Sequence, residues 1–471
     1  MAYLHGVETI ISSDGPIPVT IVKSGVIGLV GIAPLGTANS LIRINSAADA
    51  AQFGSKVPGF NIPQALDAIF KQGAASVLVV NVFDITNSAM YTQVTAESHT
   101  LVNGKCKLSY YPLGTVTITD ASDASTAFVK DVDYTLDAYG NFTVISATIT
   151  NSSLKFTYKK LNPAGITSSV IIGTYTSNTG VRTGMQLFDV AKNTYGYNAK
   201  ILIAPTYSAT AAIAAEMLVK ADKYRAIALL DAAYGTSVST AITNRGVGAA
   251  TNFSTGSKRA YLLYPFLKAY DVATESNQDY PYSSYMAGVI AATDNALGYW
   301  YSPSNKDIAG IVGVERQISS GANDTSSDAN QLNAAGITTI FNTFGSGIKT
   351  WGNRSAAYPT VTTPDNFLAV QRTADVVHES LEDASLQFTD KPINQALIDA
   401  IRETGNSFMR TLIQRGALLV GSRVEFNKAN NPDVEIAAGH LTFDLVFMVP
   451  VPGERITFKS FIDLTLLSSL K

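Results

Sequence analysis

The sequence predicts a multi-domain α/β protein: an α/β core interrupted by an inserted all-β domain, then an α+β carboxy-terminal domain, with an extended arm at each end. Three observations predict it. Continuous apolar runs of strand length alternate with helix-patterned segments on both sides of residues 87–180, as buried parallel strands and their crossovers do. Residues 87–180 instead carry short alternating segments rich in Thr, Ser and Tyr, separated by turn residues. The chain has 471 residues, too many for one ordinary domain.

Taken in order, residues 1–22 read as an arm: Val7–Ile11 and Val19–Val22 are short apolar pieces split by Ser12-Ser13-Asp14-Gly15-Pro16. Residues 23–86 are the first part of the core. Val26–Ile32 is a strand, Ala47–Phe53 and Pro63–Gln72 are helices, and Ser76–Val82 is a second buried strand, a β-α-β pattern. In the insertion, strands are expected at Thr115–Thr119, Tyr134–Leu136, Phe142–Ile145 and Leu154–Tyr158, with a turn at Tyr139-Gly140-Asn141. Residues 181–360 resume the core with strands at Lys200–Ala204, Ala226–Leu230, Arg259–Tyr264 and Ala335–Phe341. Helices are expected at Ala209–Lys223 and Pro281–Trp300, and small residues Ala287, Ala291 and Gly298 would let another backbone come close to the second. Residues 361–454 hold two helices, Phe367–Leu386 with charges on its outer face and Pro392–Arg415 with Ile393, Leu397, Ile401, Phe408 and Leu412 on one side. Pro392 suits the helix start and Gly416 its end. Strands follow at Ala417–Phe426, Val434–Ala437 and Leu441–Val449.

The last segment, 455–471, reads as a half-buried strand. Ile456, Phe458, Ile462, Leu464 and Leu466 share one parity, with Thr457, Lys459, Asp463 and Thr465 on the other. Such a tail frays unless a sheet holds it, and an apolar strand left unpaired invites aggregation. It therefore pairs with a sheet of its own subunit or of a neighbour, the second being strand addition in trans.

Composition narrows the function. Charged residues are 15 %, against roughly a quarter in an average globular protein, which suits a subunit that buries much of its surface against copies of itself. Net charge is −3 without long runs of one sign, so neither a nucleic-acid footprint nor a polybasic membrane patch is expected. Met1–Gly15 has no signal-peptide pattern, and the longest apolar stretch, Gly25–Gly36, is too short to span a bilayer. The single Cys106 has no intrachain partner, which fits a reducing compartment.

Catalytic signatures are near misses. His378-Glu379-Ser380-Leu381-Glu382 opens like a zinc protease helix but has Glu382 where the second His belongs. Gly25-x-x-Gly28-x-x-Gly31, Gly246-Val247-Gly248 and Ser254-Thr255-Gly256-Ser257-Lys258 lack nucleotide-loop spacing. Asp131, Asp133 and Asp137 lack the glycine and final Glu of a calcium loop. Asp231, at a strand end, has no base or nucleophile to work with and reads as a turn or capping residue. No enzyme activity, metal or cofactor is expected.

Several stretches together resemble contractile phage tail sheath proteins. They are Tyr3-Leu4-His5-Gly6-Val7-Glu8, Ser283 and Tyr285-Met286-Ala287-Gly288 with Thr293-Asp294, and Tyr299–Lys306. They continue with Leu332–Thr339, Trp351-Gly352-Asn353-Arg354, Arg372–Val376, Asp390-Lys391-Pro392-Ile393 and Glu454–Phe458. The resemblance implies subunits stacked as hexameric rings around a tail tube, with strand-donating terminal arms and contraction triggered by the baseplate. The implied partners are the chain itself, the tube protein, and baseplate and tail terminator proteins. The implied place is the virion tail, assembled in the host bacterial cytoplasm. On this resemblance Val7, Ile10 and Ile11, with Ile456, Phe458, Ile462 and Leu464, are the expected inter-subunit arm residues. Arg372, Asp375, Glu379 and Glu382 are the candidate tube-facing charges, whose other reading is a solvated helix face.

Overall fold

β1 (Val26–Gly31) is apolar throughout because both its faces are covered. The computed structural model describes residues 19–120, 128–150, 153–246, 248–272, 274–343 and 347–469. β1 pairs in parallel with β3 (Ser76–Asn81), and β2 (Leu41–Ile44) runs antiparallel on the far side of β3. Sequence reading missed β2, four residues with the exposed Arg43 on a sheet edge, where a charge deters further pairing.

The next six strands are β4 (Tyr91–Thr100), β5 (Lys105–Lys107), β6 (Leu113–Asp120), β7 (Tyr134–Leu136), β8 (Asn141–Val144) and β9 (Ser153–Leu161). They form two antiparallel sheets, β4-β9-β6 and β5-β8-β7, over a cluster that includes Ile118, Tyr134, Phe142, Leu154, Phe156 and Tyr158. β4 escaped notice because a bulge between Val94 and Glu97, with Ala96 at φ 52°, breaks its alternation. The strands stop at Leu161. Ser168–Ile172 is a short helix whose Ile171 is buried with Val80 and Met185, so the end of the 87–180 stretch packs into the main core. A small ribbon follows, β10 (Tyr175–Thr176) with β11 (Val181–Arg182).

The core resumes with β12 (Ile201–Ile203), β13 (Ile227–Asp231) and β14 (Ala260–Leu263). A three-stranded side sheet follows, from β15 (Leu267–Asp271), β16 (Ser276–Tyr280) and β17 (Gly313–Val314). β18 (Ile337–Thr343) and β19 (Gly347–Trp351) complete an eight-stranded sheet in the order β19-β18-β14-β13-β12-β1-β3-β2, parallel except at its two edges. Alternate residues feed opposite layers. Val26, Val30, Leu202 and Leu230 pack with Ile213 and Met217 of the 211–224 helix. Ile27, Leu29, Ile203 and Leu229 pack under the 62–72 and 282–296 helices. Those two helices meet at Gly288, where an added Cβ would lie 2.8 Å from the Ile69 carbonyl oxygen. Gly298 instead sits at φ +112° beside the Trp300 ring, past the helix end.

The carboxy-terminal body has helices at Leu368–Ser385 and Gln395–Gln414, then β20 (Arg423–Phe426) paired with β21 (Phe443–Val446). The second helix starts at Gln395 because the Asn394 side chain caps it, accepting from the Leu397 N–H; Pro392 lies ahead of it. It ends as expected: Gly416, at φ +78°, and Ala417 donate back to Ile413 and Leu412. Its buried side is Ile398, Gly405, Phe408, Met409 and Leu412, rotated slightly from the expected face. The expected strand Val434–Ala437 is a short helix, Asp433–Ala437. Its two apolar residues were too few to fix a period, and Pro432 is well suited to precede a helical turn. Val19–Val22 is not a strand; Val19 and Ile21 pack against the carboxy-terminal body.

Candidate assembly surfaces

The four charges expected to face a tube sit on the 368–385 helix at spacings that put them on one side. That side lies against the core. Arg372 and Asp375 are each only 5 % exposed. Arg372 forks onto Asp294, donating to Oδ1 at 2.8 Å and also to Oδ2, and reaches the Ser24 carbonyl at 3.0 Å. Asp375 receives the Arg259 guanidinium at 2.7 and 2.9 Å. Glu379 pairs with Lys200, whose ammonium also donates to the Tyr224 carbonyl at 2.7 Å. Burial pushes the Lys200 pKa down against the pull of Glu379. Glu382 pairs with Arg225 at the margin and is the one exposed member. Arg372, Asp375 and Glu379 therefore do not face outward: they dock the helix onto the core. A charged stripe looks the same in sequence whether water or a complementary stripe covers it. The partners that decide, Asp294, Arg259 and Lys200, come from distant parts of the chain.

β20 and β21 form a two-stranded sheet, which is marginal alone. Helix residue Asn406 donates to the Val424 carbonyl at 3.0 Å and accepts from its N–H at 2.9 Å, occupying the outer edge of β20. Among the described residues no strand pairs with the outer edge of β21. Leu445, Val446 and Met448 are exposed around it.

The expected strand at 455–471 is not formed. The described part has no strand, and Leu464–Ser469 is a 3₁₀ helix. Ile456, Phe458, Ile462 and Leu464 are 78, 92, 94 and 73 % exposed. A lone strand has nothing to bond to, and no sheet edge among the described residues takes this one. Among the described residues nothing covers these four side chains. Val7, Ile10 and Ile11 lie outside the described residues.

Among the described residues no group of three or more His, Cys, Asp or Glu is placed to hold a metal, and no helix is long and apolar enough to cross a membrane. Asp231 accepts from the Ser283 N–H at 2.8 Å, from the Ser283 hydroxyl and from the Ser208 hydroxyl, at the start of the 282–296 helix. Burial raises its pKa to about 6 while these bonds oppose the shift, as for a structural cap. Asp137 closes the turn at Tyr139–Asn141, accepting from both backbone N–H groups. Burial, and then Glu97, push the Cys106 thiol up to about 11, away from thiolate chemistry.

Comparison with known proteins agrees with a structural surface. Residues 180–356 match the family model for the phage tail sheath protein central domain, and residues 362–463 the model for the phage tail sheath C-terminal domain. The chain is 42 % identical to the tail sheath protein of Burkholderia phage BcepMu over 476 aligned residues, covering 100 % of this chain and 98 % of that one. It is 27 % identical to the tail sheath protein of Escherichia phage P2, over 62 % of this chain and 70 % of that one. Its fold is similar to the helical sheath of the anti-feeding prophage in its contracted state (TM-score 0.62, 17 % identity, 98 % of this chain and 100 % of that one). It is also similar to the contracted PVC sheath of an extracellular contractile injection system (TM-score 0.61, 15 % identity, 99 % of each chain).

Proposed function

We propose that this chain, which belongs to the phage tail sheath family and is a structural subunit of a contractile tail sheath rather than an enzyme, polymerises as stacked hexameric rings around a tail tube, held by strands its arms lend to neighbours. The observation that carries the reading is the presence of two incomplete surfaces in one chain. One is a tail with four large apolar side chains in water, the other a two-stranded sheet with the β21 edge free among the described residues. Covering such side chains is worth roughly 1.5–3 kcal/mol each, and backbone bonds to a sheet edge supply register. Ile456, Phe458, Ile462 and Leu464 fill this role at one end, and Val7, Ile10 and Ile11 at the other.

The two three-stranded antiparallel sheets around residues 91–161 have their own apolar cluster and form an outward-facing inserted all-β domain. Arms that stay paired while bodies slide give a lattice with two arrangements, the contracted one lower in energy. Triggered by the baseplate, the lattice shortens and widens and drives the tube through a bacterial envelope. The tube protein, the baseplate and the tail terminator are its partners. It is assembled in the host cytoplasm and resides in the tail of the particle. With Arg372, Asp375 and Glu379 paired inward, only Glu382 of the four charges is left for a tube contact.

The test is negative-stain electron microscopy of the chain mixed with tail tube protein, full length against a version ending at Pro452. Tubes or rings from the full chain that vanish on truncation support the strand-exchanging sheath. Tubes that survive truncation discard the role of the carboxy-terminal arm. If the full chain gives no tubes even with tube protein, the polymerisation proposal fails.

A further inference from the structure

Two stretches a hundred residues apart meet at the root of the tail. The Arg354 guanidinium donates from Nε to Glu454 Oε1 at 3.0 Å and from Nη2 to Oε2 at 2.5 Å, a two-pronged ion pair. Arg354 is itself firmly held. Its Nη1 donates to Asn366 Oδ1 at 2.6 Å, and the guanidinium lies 3.7 Å from the Phe367 ring centre and 4.7 Å from that of Tyr358.

The chain around Glu454 is otherwise loosely attached. Val449 is buried in the carboxy-terminal core, and Met448 accepts from the Leu419 N–H. Then Pro450-Val451-Pro452-Gly453 runs as a strap over a polar cavity of about 700 Å³, lined also by Asn333, Trp351 and Tyr358. A Cβ placed on Gly453 would meet nothing within 4 Å. Past Glu454, Thr465 and Leu466 donate locally to Asp463. Glu454 thus ties the root of the tail to the body of the subunit, across a gap that packing does not fill.

We infer that Arg354 and Glu454 form a latch that fixes the direction in which the carboxy-terminal arm leaves the subunit, so that the arm meets a neighbour's sheet edge in register. The inference rests on the assembly reading above and adds the residues that aim the arm. Two prolines stiffen the strap and a glycine next to the latch gives it a pivot. Without the ion pair the arm sweeps a wide cone, and its effective concentration at the neighbouring edge falls.

Glu454→Gln is the perturbation of choice, because it removes the charge and leaves Arg354 on Asn366 and Phe367. Trypsin cleavage after Lys459 in the unassembled protein reads the latch directly; Arg455 is avoided because it adjoins the substitution. Cleavage after Lys459 is expected to rise about tenfold in the variant. Wild-type cleavage should rise towards the variant's rate in 1 M salt, which screens a partly exposed pair. Tube formation with tail tube protein should slow by a similar factor, with the thermal unfolding midpoint of the body unchanged. Unchanged cleavage overturns the latch while leaving the assembly reading intact. Faster cleavage with wild-type tube formation overturns its aiming role. If even the wild-type chain forms no tubes, the assembly reading fails and the aiming role falls with it.

Discussion

Replacing Arg372 with Met removes one side of the most deeply buried ion pair in the seam between the 368–385 helix and the core. Both partners are nearly sealed from solvent, with side chains 5 and 3 % exposed. Two charges 2.8 Å apart attract by about 6 kcal/mol at an effective dielectric near 20, and desolvation of both ions offsets much of that. The variant keeps the full desolvation cost of Asp294 but loses its counter-charge. Among the described residues only the Ser24 hydroxyl, at 2.8 Å, still donates to it. Breaking a buried pair from one side costs about 3–5 kcal/mol. If undocking of the helix becomes the main opening route, amides of residues 373–385 should exchange with solvent faster by roughly two to nearly four orders of magnitude. Hydrogen exchange followed by mass spectrometry measures this on the unassembled chain. The double variant Arg372→Met with Asp294→Leu should recover most of the protection, since a well-packed apolar pair can replace a buried ion pair. A single variant that exchanges within fivefold of wild type would refute the reasoning. So would a double variant no better than the single one.

Two further outcomes follow from the same geometry. Burial alone would raise the Glu97 carboxyl, but hydrogen bonds from Ser109, Tyr158 and His99 outweigh it and bring its pKa down to about 2. A depressed folded-state value gives stability present above pH 4.5 and lost as pH falls towards 2. Glu97→Gln should therefore weaken exchange protection at Phe156 and Tyr158 near neutral pH and flatten the pH dependence within that window. A curve parallel to wild type would contradict it. Gly288→Val places carbons against the Ile69 carbonyl, with a Cβ contact of 2.8 Å, and should cost at least about 1–3 kcal/mol in urea unfolding. A neutral result would mean that the two helices separate freely.

The core was legible because its signals are local. β1 and β3 read as buried strands from unbroken apolar runs, and the 211–224 helix appeared at nearly its observed limits, while the 282–296 helix stops four residues short of the expected Trp300. Gly416 identified a helix end because a left-handed residue is needed there. Elements too short or too irregular to show a period were missed: β2, four residues long, and β4 with its bulge. The seam was misread for another reason. Arg372 and Asp294 both fall within the stretches that resemble the sheath family, yet nothing in either says that they touch. The same is true of Arg354 and Glu454. The period of the tail reads as a strand, but the described tail does not form one: a strand exists only with a partner, and no sheet among the described residues pairs with it.

The measurement that tests the central claim most directly is a helical reconstruction, by electron cryo-microscopy, of tubes formed by the full chain with tail tube protein. The account predicts residues 455–467 extended and hydrogen-bonded to the β21 edge of an adjacent subunit, with Ile456, Phe458, Ile462 and Leu464 buried. Tubes in which those residues fold onto their own subunit, or remain in solvent, would contradict it.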